Sequence, residues 1–300
     1  MKNNQPLISI IINCFNGEKY LNEALNSIFD QSYNNWEIIF WDNQSTDSSA
    51  KIFKSYNDKR SKYFLSNKHT SLYEARNLAI EKAAGDFISF LDVDDMWEKN
   101  KLAKQIVYFD KNGVGAVYSN YWILKKNVNK KKLFTNEKLP TGNIYKNLCH
   151  QYNIGILTII IRKKFYLELT KKFDKRFSII GDYDLILRLS KICIFECVQE
   201  PLAFYRLHGE NYSNLYRNEE INEMEVWLNE NKLNLTVADL KKANQKLNYS
   251  RFMNYKIDGK YKKCFSVLLN LEMSILKIKS IIIFLVPIPI VKKFSWFYLD

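Results

Sequence analysis

Residues 7–42 read LISIIINCFNGEKYLNEALNSIFDQSYNNWEIIFWD and contain the pattern that decides the fold. The stretch begins with Leu7–Ile12, a continuous and mostly β-branched apolar run, which is typical of a strand covered on both faces. Apolar residues then recur at helical spacing from Tyr20 to Phe29, and Trp36–Trp41 is a second apolar run. This order predicts two parallel strands joined by a helix.

The same alternation continues beyond residue 42. A helix is expected to start near Asp47, and Ser71 and Glu74 match a capping box for another helix that stops at Gly85. The remaining expected elements are strands at Lys62–Leu65, Phe87–Leu91 and Thr158–Ile161 and helices at Glu98–Asn112 and Tyr183–Leu189. We therefore predict an α/β fold with a mainly parallel central sheet flanked by helices.

The composition is that of an ordinary globular protein. The chain has 300 residues, 47% hydrophobic and 26% charged, which suffices for one large domain with or without an appendage. Its net charge of +13 suits anionic partners, but it carries no zinc-finger, basic-zipper or RNA-binding signature, so we expect no nucleic-acid partner. Five cysteines without redox or metal spacing indicate free thiols in a reducing cytoplasm.

Two basic segments leave alternatives open. Residues 125–132, KKNVNKKK, are expected to form an exposed loop, either a solvated turn or a contact for a phosphate-bearing acceptor. From about residue 215 the chain is expected to be helical and basic, and it contains the apolar run Ile281–Val291. That run is shorter than the roughly 20 residues that span a bilayer. It either lies in a membrane interface, aided by neighbouring lysines, or packs against the main domain.

Three of the predicted strands run into loops that carry acidic or amide side chains. The first is followed by Asn13 and Asn16, the second by Asp42, and the strand Phe87–Leu91 by Asp92-Val93-Asp94-Asp95. Ligands of open α/β sheets bind at the carboxyl ends of the strands. We therefore expect these loops to converge on one cleft.

Asp92 and Asp94 are the sharpest feature of this cleft. On an extended segment, two carboxylates one residue apart project to the same side and can hold one hard cation through oxygen. Mg²⁺ or Mn²⁺ bound in this way keeps positions open for substrate phosphates. The sequence has no glycine-rich dinucleotide motif and no P-loop, so a phosphate-bearing ligand would depend on that metal for charge neutralisation.

Two later positions are further candidates for the cleft. Asp182 stands at the start of the expected helix GDYDLILRL, where an acidic residue is either a helix cap or a general base. His208 is one of three histidines in the chain and a candidate metal ligand, although a lone histidine is also a common structural residue.

Together these segments resemble the family 2 glycosyltransferases with the GT-A fold. The resemblance covers roughly residues 6–213 and is carried by PLISIIINCFNGEKYLNEALNSIFDQSYNNWEIIFWDNQSTDSS, EARNLAIEKAAGDFISFLDVDDMW, GDYDLILRL and YRLHGENYS. It implies a Rossmann-like nucleotide-sugar-binding half at residues 1–124 and an acceptor-binding half at 125–213. Residues 214–300 are then a helical, basic C-terminal extension with a membrane-interface segment as one alternative.

The resemblance implies an inverting transfer of a hexose from a nucleotide-diphosphate sugar, with a UDP-sugar expected. The implied acceptor is a hydroxyl of a glycan or of a lipid-linked sugar in cell-surface polysaccharide biosynthesis. Such an enzyme is expected to be cytoplasmic and peripheral at the inner face of the cell membrane.

The same resemblance implies roles for individual residues. Asn13, Phe15 and Asn16 would line the nucleoside pocket, Asp42 would contact the base, and Arg76 would lie near the diphosphate. Asp94 would be the principal ligand of Mn²⁺ or Mg²⁺, with Asp92 on the ribose or metal and His208 completing the metal or phosphate environment. Asp182 would be the base that deprotonates the acceptor.

The sequence departs from the family pattern at two places. The acidic pair common at the base position is Gly181-Asp182 here, which leaves Asp184 as an alternative base, and the common Asp-Asp after the second strand is Asp42-Asn43. Two other functions stay open: a nucleotidyltransferase, which would need a glycine-rich basic loop after the first strand, and a non-catalytic basic protein that binds membrane or nucleic acid.

Overall fold

The computed structural model describes residues 5–125, 130–209, 211 and 215–294. The chain divides into two compact units, residues 1–211 and residues 212–300. The sequence predicts a domain boundary between residues 213 and 214. Both residues lie outside the described part of the chain.

The first unit is built on a nine-stranded sheet. Its strands are β1 (Ile8–Cys14), β2 (Trp36–Asp42), β3 (Ser61–Leu65), β4 (Phe87–Phe90), β5 (Met96–Trp97), β6 (Val114–Lys125), β7 (Lys130–Leu133), β8 (Ile160–Arg162) and β9 (Ile194–Leu207). They lie in the order β3-β2-β1-β4-β8-β6-β9-β5, and β7 pairs with β6. Neighbours are parallel from β3 to β4 and in the β6–β9 pair, and antiparallel elsewhere. The predicted α/β architecture is confirmed.

Helices pack on this sheet because their apolar residues fall on one face. They are α1 (Leu21–Phe29), α2 (Ser49–Ser55), α3 (Leu72–Glu81), α4 (Lys101–Ile106), α5 (Tyr145–His150), α6 (Lys163–Glu168) and α7 (Gly181–Leu189). All seven residues of β2 are buried, as expected for a strand that is covered on both faces. In α1 the buried residues are Leu21, Ala24, Leu25 and Ile28, which follow the helical spacing seen in the sequence.

Several predicted boundaries differ from those observed. The helix expected at Glu98–Asn112 is the short α4 followed by a 3₁₀ turn at Val107–Asp110. The hydroxyl of Ser71 accepts a hydrogen bond from the backbone N–H of Glu74, as the capping box requires, but α3 ends at Glu81 and not at Gly85. The strand expected at Thr158–Ile161 begins later, because Ile156–Thr158 form a 3₁₀ turn before β8.

The basic segment 125–132 is not a simple loop. Its ends belong to β6 and β7, which pair as an antiparallel hairpin with Lys125 opposite Lys130. Residues 126–129, the middle of the predicted loop, lie outside the described residues.

The second unit is helical. Its helices are α8 (Arg217–Asn231), α9 (Val237–Ile257), α10 (Tyr261–Asn270), α11 (Ile275–Leu285) and α12 (Ile288–Phe294). A small core joins α9, α10, α11 and α12 through Phe252, Cys264, Ile283 and Val291. The apolar run Ile281–Val291 is divided at Pro287, which disfavours helix in the residue before it. Among the described residues, no helix combines the length and the apolarity that crossing a bilayer requires.

Candidate active site

The loops after β1, β2 and β4 meet at the carboxyl ends of these neighbouring parallel strands. Asn16 adopts a φ of 54°, a left-handed conformation that asparagine tolerates better than most residues, and its side-chain oxygen accepts from the backbone N–H of Thr46 at 2.8 Å. Gly17 lies against Val93 so closely that a Cβ at Gly17 would be 2.8 Å from Val93 Cγ2. The glycine therefore lets the loop after β1 pack against the loop after β4.

The residues predicted to bind a nucleoside have different environments. Asn13 has a buried Nδ2 that finds no hydrogen-bond partner within the described part of the chain, which is unusual for a buried donor. The Phe15 ring is exposed and meets the His69 ring edge-on, with centroids 4.4 Å apart. Asp42 is buried and accepts from the Tyr63 hydroxyl at 2.6 Å and from the backbone N–H of Ser45 at 2.7 Å. Its carboxylate thus holds the loop after β2, whose Thr46 donates to Asn16.

Residues 92–95 form what we call the acidic turn. The backbone N–H of Asp95 donates to the carbonyl of Asp92 at 3.1 Å, so the segment is a turn, and the expectation that Asp92 and Asp94 project from an extended segment is wrong. Arg76 Nη2 donates to Asp92 Oδ1 at 2.7 Å. The Arg76 side chain is only 3% exposed whereas that of Asp92 is 35% exposed, so Arg76 supports Asp92 from beneath and leaves it open to the cleft.

Asp94 has a different partner. Its Oδ2 lies 2.9 Å from His208 Nε2, and Asn211, whose side-chain oxygen accepts from the backbone N–H of His208 at 2.6 Å, holds the histidine in place. Burial, and next the negative charge of Asp92, raise the pKa of Asp94, while His208 opposes the shift. The end of β9 also anchors the turn, because Arg206 Nε donates to the carbonyl of Asp94 at 2.9 Å.

The side chains of Asp94 and His208 are suitable donors for a divalent cation. No group of three histidine, cysteine or acidic side chains is arranged as a metal cage in the described ranges. Mg²⁺ and Mn²⁺ sites that serve phosphate chemistry need no such cage, because one or two protein carboxylates suffice when a diphosphate supplies further oxygens. The carboxylate of Asp94 meets this description, and the imidazole of His208 beside it adds a nitrogen donor.

Asp182 lies in the first turn of α7 and is surrounded by neutral donors. Its Oδ1 accepts from the backbone N–H of Tyr183 at 2.9 Å and lies 3.1 Å from the Tyr73 hydroxyl, and its Oδ2 lies 3.4 Å from the Tyr152 hydroxyl. Burial raises the pKa of Asp182, and the charge of Arg76 only partly opposes the shift. The alternative base, Asp184, instead accepts from Arg188 Nη2 at 2.6 Å in an ion pair within α7.

Asp182 lines a cavity of about 230 Å³ together with Asp92 and Asp95 of the acidic turn, whereas Asp94 and His208 are not part of its lining. The lining comprises Asp92, Asp95, Tyr121, Phe134, Tyr152, Asn153, Ile154, Gly155, Ile156, Leu157, Asp182 and Tyr205. Asn153 Oδ1 is buried and has no hydrogen-bond partner among the residues that the structure describes. Asp184 does not line this cavity.

Sequence reasoning missed the aromatic and amide part of this lining. Tyr121, Phe134, Tyr152 and Asn153 stand in segments without a recognisable motif, and the fold brings them to Asp182 from far along the chain. The only signal in the sequence was the high aromatic content of 15%, which does not say where the aromatic side chains gather.

Comparisons with known proteins identify relatives of this chain. Residues 9–169 match the model of Glycosyl transferase family 2. The chain is 30% identical over 218 residues to the UDP-Glc:alpha-D-GlcNAc-diphosphoundecaprenol beta-1,3-glucosyltransferase WfgD of Escherichia coli, which covers 70% of this chain and 83% of the relative. It is 28% identical over 263 residues to the amylovoran biosynthesis glycosyltransferase AmsB of Erwinia amylovora, covering 84% and 85% of the two chains.

Two solved structures show a similar fold. Residues 1–349 of S. aureus TarS in complex with UDP-GlcNAc align with a TM-score of 0.64 at 17% identity, over 88% of this chain and 80% of that one. The mannosyltransferase PcManGT of Pyrobaculum calidifontis, in complex with GDP-Man and Mn²⁺, aligns with a TM-score of 0.61 at 13% identity, over 89% and 75% of the two chains.

Proposed function

The chain belongs to Glycosyl transferase family 2, and on that premise we propose that it transfers a hexose from a UDP-sugar to a hydroxyl of a lipid-linked glycan in cell-surface polysaccharide biosynthesis. The observation that carries the proposal is that the half-buried carboxylate of Asp182 lines one cavity with Asp92 and Asp95 of the acidic turn. If the donor sugar binds between Asp182 and the turn, its diphosphate leaving group would lie at the turn and the acceptor hydroxyl at Asp182.

The choice of substrates rests on the relatives. WfgD is named for UDP-Glc and a GlcNAc-diphosphoundecaprenol acceptor, and the TarS structure contains UDP-GlcNAc. UDP-glucose with a GlcNAc-diphospholipid is therefore the first substrate pair to test. The second is UDP-GlcNAc with the same acceptor.

In the proposed reaction Asp182 is the general base. Its carboxylate takes the proton of the acceptor hydroxyl while that oxygen attacks the anomeric carbon of the donor, and the bond from this carbon to the diphosphate oxygen breaks. UDP leaves, and the anomeric configuration inverts because attack and departure take place on opposite faces. The raised pKa of Asp182 suits a proton acceptor better than that of an ordinary aspartate would.

The donor side would hold the nucleoside and the diphosphate. Asn13 has a donor without a partner among the described residues, Phe15 offers an exposed ring, and Asn16 joins this loop to the loop after β2. Asp42 would support binding of the nucleotide base indirectly, because it holds the loop after β2. Arg76 would support binding of the donor indirectly, because it fixes Asp92.

We also propose that Asp94, His208 and Asp92 hold Mn²⁺ or Mg²⁺. When bound, the cation neutralises the charge of the departing diphosphate. The chain's own contribution is the placement of these three side chains, with His208 fixed by Asn211 and the acidic turn by Arg206.

The proposed reaction is tested by product analysis. The enzyme is incubated with UDP-glucose, the GlcNAc-diphospholipid and Mn²⁺, released UDP is quantified, and the product linkage is determined by NMR. We expect UDP release that requires the acceptor and a β-linked product from the α-linked donor. An α-linked product would contradict inversion, and no UDP release from any UDP-sugar would contradict the donor.

We further propose a peripheral contact with the inner face of the cell membrane through α11. Its apolar residues Ile275, Ile278, Ile282 and Leu285 are exposed, up to 78% for Leu285, and they recur at spacings of three and four residues, so they form one stripe. The opposite side of α11 contributes Ile283 to the small core of the second unit. Lys277 and Lys279 lie in the same helix and suit anionic headgroups.

Co-sedimentation with vesicles tests this contact. Ile278→Glu with Ile282→Glu should lower binding to phosphatidylglycerol vesicles about tenfold or more, because burial of an isoleucine side chain is worth about 1.5–3 kcal/mol. The matched control is Leu233→Glu with Val237→Glu, two residues that are even more exposed but lie outside α11. Equal binding of both double variants would contradict the proposal.

A further inference from the structure

Gly181 occupies the position where the family pattern commonly has an acidic residue, and the structure shows what replaces that side chain. A Cβ at Gly181 would lie 2.5 Å from Cδ2 and 2.6 Å from Cε2 of Tyr73, far inside van der Waals contact. The Tyr73 ring itself is stacked on Phe173, with centroids 5.3 Å apart and planes at 22°. The ring therefore fills the space next to α7 that a side chain at residue 181 would need.

The hydroxyl of the same tyrosine reaches the base. It donates to the carbonyl of Ile179 at 2.6 Å and lies 3.1 Å from Asp182 Oδ1, so one phenolic proton is placed between two acceptors at the start of α7. Tyr73 is fully buried, and burial, followed by the charge of Asp182, raises its pKa well above the usual range. The hydroxyl thus stays protonated and remains a donor.

We propose that Tyr73 is the positioning residue of Asp182 and that residue 181 is glycine because the Tyr73 ring occupies its side-chain space. Helix α3 supplies the ring and α7 supplies the carboxylate, so the contact joins two elements that are about a hundred residues apart in the chain. The Tyr73 hydroxyl fixes the position of Asp182 Oδ1. Oδ2 then faces the Tyr152 hydroxyl, which belongs to the lining of the cavity. This inference rests on the proposed function, in which Asp182 is the base.

Removal of the hydroxyl alone is the first test. Tyr73→Phe should lower kcat about tenfold, since it loses one hydrogen bond and the orientation that this bond provides, while KM for UDP-glucose and the Kd for UDP stay unchanged. The matched control is Tyr166→Phe, which removes the hydroxyl of another buried tyrosine that contacts Phe173 but donates to Asn77 Oδ1 at 2.9 Å. Its kcat should equal that of the wild type, whatever its loss of stability.

The packing part of the proposal is tested by a double-mutant cycle. Gly181→Ala should lower both Tm and kcat, because the added methyl group displaces the Tyr73 ring. In a Tyr73→Leu background, Gly181→Ala should lower neither, since the space is then free and alanine suits a helix better than glycine. The Tm readout needs no substrate.

The outcomes separate the two proposals. A Tyr73→Phe variant with the same kcat as Tyr166→Phe, or a Gly181→Ala cost that is equal in both backgrounds, would overturn the positioning role while the proposed function stands. Full turnover by Asp182→Asn would instead overturn the assignment of the base, and the positioning role would fall with it.

Discussion

The acidic turn and Asp182 line one cavity, yet their carboxylates have different partners. In the turn, Asp92 is paired with Arg76 and Asp94 with His208, and the backbone N–H of Arg206 donates to Asp95. Asp182 instead has the hydroxyls of Tyr73 and Tyr152 and one backbone N–H. The carboxylates of the turn are therefore held by charged or titratable side chains and one backbone N–H, whereas the hydrogen-bond partners of Asp182 are neutral.

Under the proposed function, this difference would assign a different task to each side of the cavity. In the proposed reaction, Arg76, His208 and the backbone of Arg206 would hold the carboxylates of the turn in place for a cation and a diphosphate. The hydrogen-bond partners of Asp182 are neutral, and burial raises its pKa more than the nearby charge of Arg76 lowers it. A carboxylate in such surroundings is suited to accept a proton.

The largest effect is expected from Asp182→Asn. Loss of the general base should lower kcat about a hundredfold to ten-thousandfold, with the Kd for UDP unchanged. The control is Asp184→Asn in the same helix, which should retain turnover because Asp184 is paired with Arg188 and does not line the cavity. The reverse result, an inactive Asp184→Asn and an active Asp182→Asn, would exchange the two roles.

The next largest effect is expected from His208→Gln. The affinity for UDP in the presence of Mn²⁺ should fall about tenfold to a hundredfold, as removal of a group that contacts or orients a metal site typically does. Affinity without Mn²⁺ should not change. His150→Gln, at an exposed histidine, serves as the control. If His208→Gln bound UDP in the presence of Mn²⁺ as tightly as the wild type, the proposed role of this histidine at the metal would be wrong.

The pH dependence of kcat compares the two sides without a mutation. Asp182 must be ionised to act, and burial raises its pKa, so kcat should fall with decreasing pH at a higher pH than an ordinary aspartate would give. The titration is made at saturating UDP-glucose and Mn²⁺, which separates the loss of the base from the loss of donor binding. A kcat that stays constant down to the usual range of aspartate would contradict the environment inferred for Asp182.

The smallest effect is expected from Tyr152→Phe. The Tyr152 hydroxyl lies 3.4 Å from Asp182 Oδ2, a longer contact than that of Tyr73, so its loss should lower kcat only about twofold to threefold. A fall larger than that of Tyr73→Phe, measured under identical conditions, would assign the main positioning contact to Tyr152.

The sequence was informative where function follows strand order. Asn13, Asp42 and Asp92 stand directly after buried apolar runs, so their convergence could be predicted from the rule for parallel strands. The direction of the carboxylates could not be predicted, because Asp92 and Asp94 lie in a turn whose partners, Arg76 and His208, come from other elements. Tyr73 could not be recognised either, since its role depends on the absence of a side chain at a glycine that is distant in sequence.

The central claim is that the acidic turn binds the metal and the donor, whereas Asp182 acts as the base. Its most direct test is a calorimetric titration of UDP, with and without Mn²⁺, into the wild type, Asp94→Asn and Asp182→Asn. We predict that the wild type binds UDP more tightly with Mn²⁺, that Asp94→Asn loses this gain, and that Asp182→Asn keeps it in full. Binding of UDP that is independent of Mn²⁺, or a gain that Asp182→Asn loses and Asp94→Asn retains, would contradict the account.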